Sequence, residues 1–266
     1  MIGRRDRLAE EDGWFAEMYS NPDARMATAE ELIAEMDRCG VDRAVTSGFA
    51  FKSLALCAEA NDYVADAFKC FPEKIYGFTV APPLDPGAVD ELDRCLSLGF
   101  KGIGELLPDG QGFEPDDIAG LKRLAEWATT KEQPLLLHAS EPLGRTYPGK
   151  GRATPGKCYR LACAYPDLKL VLAHWGGGLP FFVMLADDGE PLANVYYDCA
   201  ASPYLYQPEI FKAVIGLAGS SRILFGTDYP LISQDRYIRE IDSLNLDAGD
   251  YSAIMGNNAL GLLGVP

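Results

Sequence analysis

Three apolar runs in this chain stop on a polar residue able to bind a metal or move a proton. Pro134-Leu135-Leu136-Leu137 ends on His138, Leu170-Val171-Leu172-Ala173 ends on His174, and Ile223-Leu224-Phe225-Gly226-Thr227 ends on Asp228. Such a run reads as a buried parallel strand that delivers a side chain at its C-terminal end, where the chemistry of barrels and open α/β sheets sits. His138 and His174 are the only two histidines among 266 residues, so the chain holds no His-x-His pair.

Around these runs, strand-like and helix-like stretches alternate. Thr28-Ala29-Glu30-Glu31 is a capping box that opens a helix, and Gly40 stops it. Strands are expected at residues 41–46, 75–80 and 100–105, in the runs ending on His138 and His174, at 195–198 and at 223–225. Helices are expected over 53–71, 86–98 and 115–129, from Thr154-Pro155 to before Pro166, over 208–218, and near 235–244 and 247–263. This alternation implies right-handed βαβ units and a parallel sheet. Seven strands with no strand-like run in residues 1–27 point to an α/β fold of the eight-fold TIM-barrel type, lacking or altered in its first strand. A doubly wound seven-stranded sheet is the alternative. A barrel is favoured because it brings all strand ends together, and residues 1–266 read as a single domain.

Charge narrows the partners. Lys and Arg number 24 against 39 Asp and Glu, a net charge of −15, which disfavours nucleic acid or an anionic membrane as the main partner. The longest apolar stretch, residues 179–186, is too short to span a bilayer, and the charged residues 1–14 lack a signal-peptide core. Seven scattered cysteines without a Cys-x-x-Cys pair fit reduced thiols in a cytoplasmic protein. A small-molecule substrate is the partner that remains.

Four pieces in order, Leu135 to His138, Leu172-Ala173-His174-Trp175-Gly176-Gly177-Gly178, Phe225 to Pro230 and Gly256-Asn257-Asn258-Ala259, resemble the amidohydrolase-related branch of the metal-dependent hydrolase superfamily. That branch also contains the aminocarboxymuconate semialdehyde decarboxylases. The resemblance spans roughly residues 30–264 and implies a distorted TIM barrel with a divalent metal, usually zinc, at its C-terminal mouth. It assigns His138 as a metal ligand. His174 becomes a second ligand or a polarising group, and Asp228 a carboxylate that touches the metal and handles the proton. It also implies a first strand carrying His-x-His, absent here. On that comparison the text before Trp14 looks like the middle of a longer protein, through a late start codon or a natural truncation. A homodimer is the family's expectation.

Each residue has a plainer reading beside this one. A histidine ending a strand is often a satisfied core group, and an aspartate before Tyr229-Pro230 is often a turn-former. Glu105, at the end of Lys101-Gly102-Ile103-Gly104-Glu105, occupies the fourth strand position, where some superfamily members place a metal-bridging group; a solvated glutamate is equally open. The glycines after Trp175 fit either a close backbone approach by substrate or a plain turn. Arg145, Lys150, Arg152 and Lys157, with Tyr147, follow His138 closely and form either a clamp for an anionic substrate or a solvated loop. Arg145, Tyr147 and Trp175 are the substrate-facing candidates.

Catalytic zinc normally takes three protein ligands. His138 and Asp228 supply two, with His174 and Glu105 as possible extras, so weak or absent metal occupancy is expected of a chain without His-x-His. The leading expectation is a hydrolase in which metal-activated water attacks a small anionic substrate. Decarboxylation of a small unsaturated acid at the same site, and a metal-free barrel that only binds a ligand or partner, are the alternatives.

Overall fold

The computed structural model describes residues 4–185 and 192–265. Seven parallel strands succeed one another in chain order: β1 (Ala44–Ser47), β2 (Ile75–Phe78), β3 (Ile103–Leu106), β4 (Leu135–Leu137), β5 (Leu170–Leu172), β6 (Val195–Asp198) and β7 (Ile223–Leu224). Each begins within three residues of its expected start. β1 pairs with β2, and β3 to β7 form one ladder. Main-chain bonds from Lys101 N to Gly77 O, Thr79 N to Gly102 O and Gly104 N to Thr79 O stitch the two groups together. No strand order reverses, so the doubly wound alternative fails and the molecule is a TIM-type barrel.

Period-two alternation divides the strand residues between two faces. Leu135, Leu137, Leu170, Leu172, Val195, Tyr197 and Ile223 pack outward against helical Leu121, Leu124, Leu161, Phe211 and Val214. The alternate residues Leu136, Val171, Tyr196 and Leu224 turn the other way and meet Ala259 and Leu262 of the last helix. β3 breaks this rule. Ile103 pairs with Leu135 and Leu106 with Leu137, so β3 spends one residue more than β4 over the same span. The extra residue falls at Gly104, whose φ of 114° a side chain rarely tolerates. Ile103 and Leu106 therefore both face the helices, and Glu105 is turned away from them.

Two short helices that sequence patterning missed, Arg5–Glu11 and Gly13–Met18, lie across the mouth. Asp12 joins them. Its side chain accepts from Phe15 N at 2.8 Å, capping the second helix, and from Lys52 N at 2.9 Å on the loop after β1. Leu8 and Phe15 are thereby buried against Phe51, Cys57, Val80 and Leu107.

Among the described residues no strand joins β7 to β1. The outward edge of β7 is finished by the C-terminal helices instead. Phe225 N donates to Ile254 O at 3.1 Å, and Asn258 Nδ2 donates to Ile223 O at 2.7 Å and Ser220 O at 2.8 Å. Outside the seam, the helix Ala29–Cys39, with its Thr28–Glu31 capping box intact, meets the helix Gln234–Ser243. Glu35 accepts from Gln234 N at 3.1 Å, and Arg38 reaches Asp235. An exposed strand edge is costly and pairing-prone, and these contacts manage it without a strand. The stretch at 179–186 starts as the short turn Leu179–Phe182, and residue 186 lies outside the described residues. No helix among the described residues is long and apolar enough to cross a membrane.

Asn258→Ala should lower unfolding free energy by about 1–3 kcal/mol, because two edge carbonyls lose their donor. Urea denaturation measures it, and a change below about 0.5 kcal/mol would remove Asn258 from the edge-sealing role.

Candidate metal centre

All strands being parallel, their C-terminal ends share one rim. Glu105 is the penultimate residue of β3, His138 follows β4, His174 follows β5, Asp198 closes β6 and Asp228 follows β7. Glu105 is the hub. Its Oε1 lies 2.8 Å from His138 Nδ1 and 3.6 Å from His174 Nε2, and the two imidazoles meet edge to face with centroids 4.9 Å apart.

The second nitrogen of each ring is also held. Ser140 Oγ accepts from Gly151 N at 3.0 Å and lies 3.2 Å from His138 Nε2, so its hydroxyl proton is free to point at the ring. His138 then carries its own proton on Nδ1, towards Glu105. His174 Nδ1 sits 3.0 Å from the Ala200 carbonyl, which only accepts. Nδ1 therefore carries a proton, and Nε2 is the nitrogen turned towards Glu105.

Backbone conformation is unusual at this rim. Among the described residues, four of the six non-glycine positions with positive φ, His174 (56°), Trp175 (59°), Ala201 (55°) and Asp228 (58°), lie there. From His174 to Gly178 every residue is left-handed, at a cost of roughly 1–2 kcal/mol for each residue with a side chain. The three glycines let this turn continue cheaply. A Cβ on Gly177 would strike the Ser140 carbonyl, so the glycines serve a close approach between the loops after β4 and β5. That is backbone meeting backbone, and it accounts for the glycine run without a ligand.

Charges on the rim are strongly coupled. Burial opposes the charge on Glu105, but hydrogen bonds and charges from His138 and His174 overcome it and hold the carboxyl far below its usual range. For His174, burial again opposes ionisation, yet Glu105, with Asp228 and Asp198 behind it, lifts the imidazole to about 10. Asp198 is raised to about 6, mainly by burial and partly by Glu105, against the pull of His174. Asp228 is raised too, by burial first and by Glu105, with His174 and His138 opposing. Asp228 is nevertheless exposed at the rim and Glu105 keeps 26% of its side-chain surface open. Both are wetted from the mouth, while the protein packed beneath them supplies the desolvation.

Among the described residues, one set of side chains can gather round a cation: Glu105, His138 and His174, whose ligand atoms lie within 4.8 Å of one another. Two borderline imidazole nitrogens and a hard carboxylate oxygen suit zinc, manganese or ferrous iron. The set differs from the sequence expectation, in which His138 and Asp228 came first. Asp228 stands outside it, close enough for charge to be felt but not converged with the other three. The bulge in β3 is what promotes Glu105 from an extra to the centre.

The basic loop after His138 is mostly self-satisfied. Lys150 pairs with Glu141 at 3.1 Å, Arg152 with Asp109 at 2.7 Å, and Lys157 with Glu114. Tyr147 donates to Glu141 at 2.9 Å. Arg145 is exposed, touches the Tyr204 carbonyl at 3.4 Å, and has no carboxylate within ion-pair distance among the described residues. The expected clamp thus shrinks to one free guanidinium. Trp175 is a correction. It is 0% exposed, donates to Ser202 Oγ at 2.7 Å and meets Phe211 edge to face, so it packs beneath the rim and offers a substrate nothing. Asp198 was missed, although Val195-Tyr196-Tyr197-Asp198 ends on a carboxylate in the same pattern as the other runs.

Residues 7–265 match the amidohydrolase family. The gamma-resorcylate decarboxylase of Polaromonas sp. (strain JS666) is 26% identical over 76% of this chain and 74% of that protein. The 2-amino-3-carboxymuconate-6-semialdehyde decarboxylase of Dictyostelium discoideum is 25% identical over 95% of this chain and 80% of that protein. Among solved structures, 5-carboxyvanillate decarboxylase from Novosphingobium aromaticivorans, complexed with manganese and 4-hydroxy-3-methoxy-5-nitrobenzoic acid, superposes with a TM-score of 0.79. It covers 99% of this chain and 92% of that one at 20% identity, a likeness of fold.

Calorimetric titration of the full chain with Mn²⁺ should show uptake of about one equivalent, and Glu105→Gln should weaken it about 100-fold, since a three-ligand set loses its charged member. An unchanged Kd in that variant would remove Glu105 from the centre.

Proposed function

Because the chain belongs to the amidohydrolase family and is an enzyme of that superfamily, we propose that it catalyses non-oxidative decarboxylation of a small hydroxylated benzoic acid. The relatives named above are decarboxylases, and that single observation moves the reading from hydrolysis to loss of carbon dioxide. Two of the substrate names, gamma-resorcylate and 5-carboxyvanillate, are phenolic carboxylates. Burial and the charge of Glu105 raise the Asp228 carboxyl above its ordinary value, which suits it to exchange a proton with a substrate.

The overall reaction balances without an oxidant: an aryl carboxylate and one proton give the arene and carbon dioxide. A proton adds to the ring carbon that bears the carboxylate, and the C–C bond then breaks. Its electron pair returns to the ring as carbon dioxide leaves. An electron-donating hydroxyl on the ring stabilises the protonated stage, which is why phenolic acids suit this route. Asp228 is the proton donor in this scheme, and its exposure at the rim lets water return the proton. Glu105, His138 and His174 would hold a divalent metal, which supplies an electrophilic centre for the anionic oxygens of the substrate. His174, its Nδ1 fixed on Ala200, keeps Nε2 aimed at that region. Arg145 offers a free cation for an anionic group at the outer end of the substrate. Manganese is the first metal to test, since it accompanies the carboxyvanillate decarboxylase and fits the donor set as well as zinc does.

The protein loaded with Mn²⁺ should release carbon dioxide from 2,6-dihydroxybenzoate or 5-carboxyvanillate. Asp228→Asn should lower kcat by at least about 100-fold, the usual worth of a positioned acid, with KM changed little. Full activity in that variant would reject Asp228 as donor. No carbon dioxide from either acid, with amide or ester hydrolysis in its place, would return the reading to a hydrolase.

A further inference from the structure

One buried-side carboxylate has no task in the scheme above. Asp198 Oδ1 accepts from two main-chain N–H groups, His174 N at 3.0 Å and Ala200 N at 2.9 Å. The carbonyl of the same Ala200 accepts from His174 Nδ1 at 3.0 Å. These three bonds close a small circuit across the ends of β5 and β6. One end of it grips the backbone of His174 and the other grips its ring.

Both segments in the circuit run through conformations that unsupported backbone avoids. His174 and Trp175 leave β5 with φ of 56° and 59°, and Ala201 follows Ala200 with φ of 55°. An N–H group in such a turn has no ladder partner, and a single carboxylate oxygen serves two of them here. Without that oxygen, neither turn has a side chain to hold its N–H, and the Ala200 carbonyl loses the brace that points it at Nδ1. The ring of His174 would then be free to rotate about its own bonds. Nε2, now 3.6 Å from Glu105 Oε1, would no longer be the only nitrogen facing the centre.

We propose that Asp198 is a positioning residue that fixes the rotamer of His174, with its Nδ1–H on the Ala200 carbonyl, by bridging the main-chain N–H groups of His174 and Ala200. The proposal rests on the reading of His174 as part of the centre, and not on the identity of the substrate. The task needs an oxygen that accepts two hydrogen bonds and does not need a negative charge. Asn carries such an oxygen and Ala does not, so the two variants part company.

The chain's two histidines make the test clean, because protein labelled with ¹⁵N in histidine shows only two rings. In the metal-free full chain, His174 Nδ1–H should appear as an exchange-protected ¹H–¹⁵N peak, assigned by its absence in His174→Gln. Asp198→Asn should keep this peak. Asp198→Ala should lose it while far-UV circular dichroism stays unchanged. With Mn²⁺ and 2,6-dihydroxybenzoate, Asp198→Ala should lower kcat about 10–100-fold with KM little changed, as loss of an outer support does, and Asp198→Asn should stay near wild type. A folded Asp198→Ala that retains the peak overturns the proposal, as does a folded Asp198→Asn that loses it. If Asp198→Ala does not fold, Asp198→Asn decides alone. The ring measurement uses neither metal nor substrate, so a wild-type protein inactive on this acid leaves it decisive and tells the two failures apart.

Discussion

The carboxylate of Glu105 between two imidazoles is the contact on which the rim is organised. An anion set 2.8 Å from His138 and 3.6 Å from His174 raises the proton affinity of His174 and is itself held ionised by both rings. The same charge discourages ionisation of Asp198 and Asp228. One carboxyl is thus held down while an imidazole and two further carboxyls are raised around it, the pattern of a strongly coupled cluster.

Holding Glu105 there takes an irregularity in the sheet. A regular β3 would turn position 105 to the side of Ile103, towards the helices. The extra residue at Gly104 reverses that, and the adjoining strand keeps pairing through Leu106 and Leu137. The loops above β5 and β6 follow a similar logic. Left-handed backbone at His174, Trp175 and Ala201 stores local strain, and hydrogen bonds accepted by Asp198, the Ala200 carbonyl and Ser202 keep the strained turns in place. Hydrogen bonds thus converge on the unusual residues of the site.

Among the described residues no strand lies between β7 and β1, and other contacts take up that edge. β7 has its outward carbonyl taken up by Asn258 and its next N–H by Ile254 O, so a helix finishes what a strand would otherwise pair. On the outside, Glu35 and Arg38 clasp the start of the helix Gln234–Ser243. At the mouth, Arg25 lies over the Tyr229 ring and Tyr229 reaches the Glu31 carbonyl, which draws the chain's early segment against the loop that carries Asp228. Tyr19 feels the charge of Asp228 from that segment. The N-terminal residues are therefore part of the site's surroundings.

Local pattern alone determined the seven strands, the outer helices and the rim position of His138, His174 and Asp228. Apolar runs and capping signals are nearest-neighbour properties, and parallel strands send every C-terminal end to one side. The glycines after Trp175 were visible as a motif, but their meaning needed the Ser140 carbonyl from another loop. Tertiary structure decided which carboxylate joins the imidazoles, because the bulge at Gly104 shows only in the register between β3 and β4. It also sent Trp175 into the core, left Arg145 as the free cation of its loop, and gave Asp198 its two N–H partners. Each of these depends on pairing between segments distant along the chain, a quantity that no window of sequence contains.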